Sequence, residues 1–149
     1  MVKRSTDKAS REVAASSKRP ATKPLKVLLV EDNAADVLLF QGALQEIPMK
    51  VDVQVAPDAE KALVLLSDQA FESDLVVLDL NLPKLWGYQV LERYTRKNVP
   101  VVVFTSSRSE VDARCALSLG AREVIQKPTE LQPYRDTVRT IIEKWAAQA

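Results

Sequence analysis

At the ends of four strand-like segments of this chain stands a group capable of chemistry. Glu31-Asp32 come after Leu25–Val30, Asp79 after Leu75–Leu78, Thr105 after Val101–Phe104 and Lys127 after Glu123–Gln126. Three carboxylates gathered at one place repel one another, so either their pKa values rise or a cation holds them together. The chain has no histidine and one cysteine, Cys115, so the ligand set would be all oxygen. That selects a hard ion, Mg²⁺ or Mn²⁺. Glu31 and Asp32 are neighbours whose side chains leave a strand in opposite directions, so one is expected to bind the metal directly and the other through water. A carboxylate nucleophile at Asp79, a divalent ion, the Lys127 ammonium and the Thr105 hydroxyl together are the apparatus for phosphoryl transfer onto a carboxylate. Taken singly, each residue has an ordinary role as helix cap, core hydroxyl or surface charge. Their joint occurrence at successive strand ends argues for a site.

Five strands and five helices must position these groups. Leu25–Val30 reads as a short apolar strand, and Asn33 or Asp32 can cap a helix carrying Val37, Phe40, Leu44 and Ile47, stopped by Pro48. Val51–Val55 alternates strictly, which suits an edge strand with one wet face. A second helix places Ala59, Ala62, Leu63 and Leu66 on one stripe. Leu75–Leu78 is a run buried on both faces, followed by a loop that Pro83 and Gly87 mark out. The third helix starts near Lys84 and runs through Val90, Leu91 and Tyr94. Val101–Phe104 is another buried strand. Ser107 or Ser109 caps a helix bearing Val111, Cys115 and Leu119, with Gly120 at its C′ position. Glu123–Gln126 is shorter and more polar. The last helix has the clearest period, through Leu131, Tyr134, Val138, Ile141, Ile142 and Trp145.

Five βα units with short connections give a parallel sheet covered on both faces. The alternating second strand and the polar fifth belong at the edges, which yields the order 2-1-3-4-5. This is the α/β, (βα)5 flavodoxin-like, doubly wound arrangement, whose ligands sit at the carboxyl ends of the strands near the switch between strands one and three. Glu31-Asp32 and Asp79 end those two strands.

Composition narrows the function further. At 149 residues, 46% of them hydrophobic, the chain can bury an ordinary core without disulfides. Residues 1–24 carry seven Lys/Arg against two Asp/Glu, a net of +5 with few large apolar side chains. They are expected to be a disordered basic extension, and a body from residue 25 onward carries about −4 by difference. Without histidine there is no His-based triad, His-ligated zinc or phosphohistidine donor. The three glycines form no phosphate-cradling loop. No apolar run has the length of a membrane span, so a cytoplasmic chain is expected.

At these residues the chain resembles the receiver domain of two-component response regulators. The match runs from Leu25 to about Ala147, through Glu31-Asp32-Asn33, Asp79 with Pro83 and Gly87, Thr105-Ser106 and Lys127-Pro128. The resemblance implies that Asp79 takes a phosphoryl group from a histidine kinase or phosphotransfer protein. It implies Mg²⁺, with Mn²⁺ as a substitute, on Asp32, Asp79 and the Asn81 backbone carbonyl, with Glu31 acting through water. Thr105 and Lys127 would grip the phosphoryl oxygens, and Lys127-Pro128 would be a cis peptide. Asp79-Leu80-Asn81-Leu82-Pro83-Lys84 also looks like the small stand-alone regulators that partner phytochrome-type kinases. On this reading residues 25–149 are a receiver domain with no output or DNA-binding domain. Its signal leaves through the face of helix four, strand five and helix five; Trp145, Tyr134 and Ile142 are nearby, though most of that stripe is ordinary core, and a homodimer is left open.

Two departures bear on the switch. Val124 stands where receivers commonly carry an aromatic whose rotamer follows the threonine, so signalling is expected to rely on backbone shifts of helix four and strand five. Trp86 precedes Gly87 where an Asp is frequent, and it is either a loop side chain on helix three or part of a partner surface. Two other functions compete. A phosphorylation-independent adaptor of the same fold is favoured by Val124 and opposed by the complete set of five site residues. A phosphatase with an aspartyl-phosphate intermediate would want an acid where Asn81 stands. Asn81 and Ser107 are also expected to flank the path of a hydrolytic water.

Overall fold

The computed structural model describes residues 23–149, apart from Pro83 and the side chains of residues 84–86. The basic extension through residue 22 and Trp86 as a surface residue therefore lie outside the described residues. The elements alternate as read from the sequence: β1 (Leu25–Val30), α1 (Ala34–Leu44), β2 (Val51–Ala56), α2 (Ala59–Ser67), β3 (Leu75–Leu78), α3 (Lys84–Arg96), β4 (Val101–Thr105), α4 (Glu110–Ser118), β5 (Glu123–Gln126) and α5 (Leu131–Ala146). All pairings are parallel and the strand order is 2-1-3-4-5, the flavodoxin-like winding expected.

Strand alternation divides the core in two. Leu25, Val27 and Leu29 of β1, Leu75 and Val77 of β3, and Val102 and Phe104 of β4 pack under α1 and α5. Leu28, Val30, Val76, Leu78, Val101 and Val103 point the other way, into α2, α3 and α4. β2 alternates half-buried and exposed residues because, as an edge strand, only one face meets a helix. The caps follow from local chemistry. Asn33 accepts from the Asp36 N–H, Asp58 from Lys61 and Ser109 from Asp112, each satisfying an amide that the helix start leaves unpaired. Gly120 ends α4 at φ 110°, where a Cβ would meet Thr95 Cγ2 at 2.3 Å, so both backbone and neighbour require glycine.

The sequence reading needs correction at several positions. α1 stops at Leu44, and Ile47 is buried from the turn that follows, not from the helix. Val111, expected on the inner stripe of α4, is 66% exposed, and Asp112 and Ala116 take the buried positions instead. Leu131, the first residue of α5, is half exposed. Tyr134, Ile142 and Trp145 lie in the core between α5 and the sheet, as expected of most of that stripe. No peptide bond among the described residues is cis, Lys127–Pro128 included. The trans form is intrinsically preferred even before proline. With that bond trans, the Lys127 N–H still reaches the Thr105 carbonyl at 2.7 Å.

Candidate functional site

The carboxyl ends of β1, β3, β4 and β5 lie side by side, and the polar residues that follow them meet there. Val30 pairs with Leu78, so Glu31 and Asp79 are lateral neighbours, and the Asp79 N–H donates to the Val30 carbonyl at 3.1 Å. Thr105 closes β4 beside Gln126, which delivers Lys127 to the same edge. Glu31, Asp79, Thr105 and Lys127 are all buried, an unusual concentration of polar groups in the interior.

Lys127 is the hub. Its Nζ donates to Glu31 Oε1 at 2.7 Å, to Asp36 Oδ2 at 3.0 Å and to Asp79 Oδ2 at 3.3 Å. The Asn33 N–H holds the other Glu31 oxygen at 3.2 Å, and the Asn81 N–H holds Asp79 Oδ1 at 2.9 Å. Burial draws the Lys127 pKa down, but its hydrogen bond to Glu31, the field of Asp79 and the bond to Asp36 outweigh that and hold it above the ordinary lysine range. Burial pushes the Glu31 carboxyl up to about 7 against the opposing pull of Lys127, and Asp79 adds to the rise. One ammonium thus serves three carboxylates, an excess of negative charge in a desolvated place.

Strand alternation explains who joins the cluster. Alternation puts Thr105, the last residue of β4, on the α2–α4 side and, carried one residue past β1, β3 and β5, puts Glu31, Asp79 and Lys127 on the α1/α5 side; Asp32, one further on, falls on the Thr105 side. Asp32 is accordingly exposed and is not among the carboxylates gathered around Lys127. Asp36, which the sequence reading missed, sits at the third position of α1 on the Glu31 side. Glu31, Asp36 and Asp79 can each bring one oxygen within 4.8 Å of the others. The only signal available in the sequence was an acid three residues after a cap, which ordinarily interacts with its own helix terminus.

On the opposite side, Thr105 Oγ1 accepts from the Ser107 N–H at 3.2 Å, which leaves its own proton available for donation. Asn81 Nδ2 reaches Ser106 Oγ at 2.6 Å, tying the β3 and β4 loops together across the site. Val124 is half buried against the α2–α4 side of the core and offers no polar atom to a threonine. The donor set, carboxylate oxygens without nitrogen or sulfur, suits a hard divalent cation, and the excess negative charge gives one a reason to bind.

Comparison with known proteins bears on the family and the fold. Residues 27–139 match the family model described as the response regulator receiver domain. The chain is 34% identical to the probable methanogenesis regulatory protein FilR2 of Methanothrix harundinacea, over 84% of this chain and 86% of that one. It is 32% identical to response regulator Rcp1 of Synechocystis sp., over 82% and 89%. The crystal structure of the Mn²⁺-bound form of Rcp1 superposes with a TM-score of 0.75 at 30% identity, covering 85% of this chain and 97% of that one. The phosphorylated cyanobacterial phytochrome response regulator RcpA superposes with a TM-score of 0.77 at 34% identity, with the same coverage. Other curated relatives are longer, and this chain spans about half of them or less. The chain belongs to the response regulator receiver domain family of two-component signalling, in which phosphorylation and Mg²⁺ binding are typical.

Proposed function

We propose that this chain is a phosphorylation switch in which Asp79 accepts a phosphoryl group from the phosphohistidine of a sensor kinase or phosphotransfer protein. The observation that carries this reading is the buried Asp79 carboxylate at the end of the central strand, in contact with Lys127 and beside Glu31. A new bond forms between an Asp79 oxygen and phosphorus as the donor's P–N bond breaks, and the imidazole keeps the electron pair. Lys127 turns from the carboxylates to the phosphoryl oxygens, and Thr105, its oxygen already engaged by Ser107, donates its proton to another. Asp32, Asp79 and the Asn81 carbonyl would hold Mg²⁺ or Mn²⁺, with Glu31 acting through water and Asp36 adding to the local negative potential. The ion supplies charge neutralisation on the transferring group. The likeness to the phosphorylated cyanobacterial phytochrome response regulator RcpA supports a phytochrome-type kinase as donor class.

Residues 25–149 would form the receiver and residues 1–24 a basic extension, with the signal leaving through the α4–β5–α5 face. No helix among the described residues is long and apolar enough to cross a membrane. A phosphorylation-independent adaptor is the second reading, and Val124 is the residue that favours it.

The test is incubation with Mg²⁺ and acetyl phosphate, followed by mass spectrometry of the intact protein and of its Asp79→Asn variant. A single phosphate adduct that needs the metal and disappears in the variant is the expected result. Metal binding with no adduct from acetyl phosphate or from any phosphorylated kinase would leave the adaptor.

A further inference from the structure

On the Thr105 side of the sheet lies a third buried carboxylate, one that the proposed chemistry does not use. Asp112, on the inner face of α4, is only 9% exposed. Its Oδ2 accepts from Ser107 Oγ at 3.2 Å and its Oδ1 from the Tyr88 hydroxyl of α3 at 3.4 Å. The Ser107 hydroxyl also accepts from the Ser109 N–H at 3.2 Å, and Ser109 in turn caps α4 through the Asp112 N–H. The Ser107 N–H is the group that holds Thr105 Oγ1. Burial and the Asp112 charge push the Tyr88 hydroxyl up to about 12, which keeps it a donor.

A continuous line of hydrogen bonds therefore runs from the Thr105 hydroxyl through Ser107 to Asp112, and from there to α3 and the first turn of α4. Helix interiors rarely bury an acid, and the other buried position of α4, one turn further on, is the alanine Ala116. The neighbouring Val111 points out to solvent, so Asp112 is the residue through which the inner face of α4 meets the site loop. At the other candidate relay, β5, Val124 has nothing to offer the threonine.

We infer that Asp112 is a positioning residue: it fixes Ser107, and through it the Thr105 hydroxyl, and it transmits movement of that hydroxyl to α4 and α3. The inference rests on the phosphoacceptor reading of Asp79. When Thr105 is drawn toward the phosphoryl group, the Ser107 N–H follows or lets go, and the Ser107–Asp112 bond carries the displacement to the helix. This gives the chain a polar route from site to surface in place of an aromatic rotamer.

Beryllofluoride with Mg²⁺, a stand-in for the phosphoryl group, tests this. ¹⁹F NMR reads its occupancy at Asp79, and amide hydrogen exchange reads the segment from Ser107 to Ser118. In the wild type, occupancy should change exchange across the start of α4. Asp112→Ala should weaken beryllofluoride binding about tenfold, the scale of one charge-assisted hydrogen bond, and abolish the α4 response. Asp112→Asn keeps an acceptor for Ser107 and should restore affinity to within about threefold, a rescue that a space-filling role alone would not require to be polar. Ser107→Ala cuts the same link from the other side. It should reproduce the loss without adding to it in the double variant, which also keeps the test open if Asp112→Ala does not fold. Unchanged affinity and an unchanged α4 response in both Ser107→Ala and Asp112→Ala would overturn the inference while leaving Asp79 as the acceptor. Failure of the wild type to take up beryllofluoride would instead overturn the phosphoacceptor reading, and this inference with it.

Discussion

The two ends of the same sheet each carry a lysine–glutamate pair, and the pairs behave in opposite ways. At the amino end of β1, Lys26 Nζ lies 3.0 Å from Glu72, with side chains 37% and 71% exposed. At the carboxyl end, Lys127 lies 2.7 Å from Glu31, with side chains 7% and 3% exposed. The distances are similar, yet the acids move in opposite directions. Glu72 is lowered by its hydrogen bond to Lys26, because water still solvates both partners. Glu31 is raised to about 7, because burial outweighs the ammonium beside it. Separation alone does not set the value of an ion pair. Desolvation and stoichiometry do, and three carboxylates on one buried ammonium make the carboxyl end a poor stability device. That imbalance is what a cation or a phosphoryl group can relieve.

The comparison is sharpest at Lys127. Lys127→Met strands Glu31, Asp36 and Asp79 without their cation, and should cost about 3 kcal/mol at neutral pH in the absence of divalent ions. Mg²⁺ should return part of that loss by replacing the missing charge. Urea unfolding with and without the ion measures both, and an equal loss in each condition would mean the cluster does not behave as a cation site.

Glu31→Gln tests the raised acid. The folded state holds this carboxyl above its unfolded value near 4.5, so its contribution is fully present below pH 4.5 and is lost as pH rises through about 7. The Gln variant should therefore gain on the wild type across that window, on the order of 2 kcal/mol by pH 8 without metal. Melting curves of both proteins across the window decide it, and a constant difference would contradict the assignment.

Glu72→Gln is the smallest of the three. Its depressed pKa predicts the reverse slope, with the wild type losing ground to the variant only as pH falls below about 4.5. At pH 7 the melting temperature should not move measurably, since an exposed pair is screened. A large shift there would erase the contrast between the two ends.

Much of this was written in local pattern. Uninterrupted apolar runs marked β1, β3 and β4 as central, and alternation marked β2 as an edge, so the strand order and the meeting of Glu31, Asp79, Thr105 and Lys127 followed. Each of those inferences needs only a period of two and the rule that ligand sites form at the carboxyl ends of parallel strands. Caps were equally local at Asn33 and Ser109, which bond amides three residues ahead.

The helices were less legible, since which side of a helix is inside depends on where it docks. Val111 and Leu131 look like core residues by composition, yet face water, while the inner position of α4 holds an aspartate. Asp36 reaches a lysine 91 residues away, a contact no window of sequence contains. The sequence by itself determined the sheet, its order and the identity of the groups at its carboxyl edge, because strand patterning and strand-end placement are local properties of the chain. Only the tertiary structure decided that Asp36 joins the Lys127 cluster and that Asp112 is bonded to the Thr105 loop. Those outcomes depend on how α1 and α4 settle against the sheet, which is fixed by packing across the whole core.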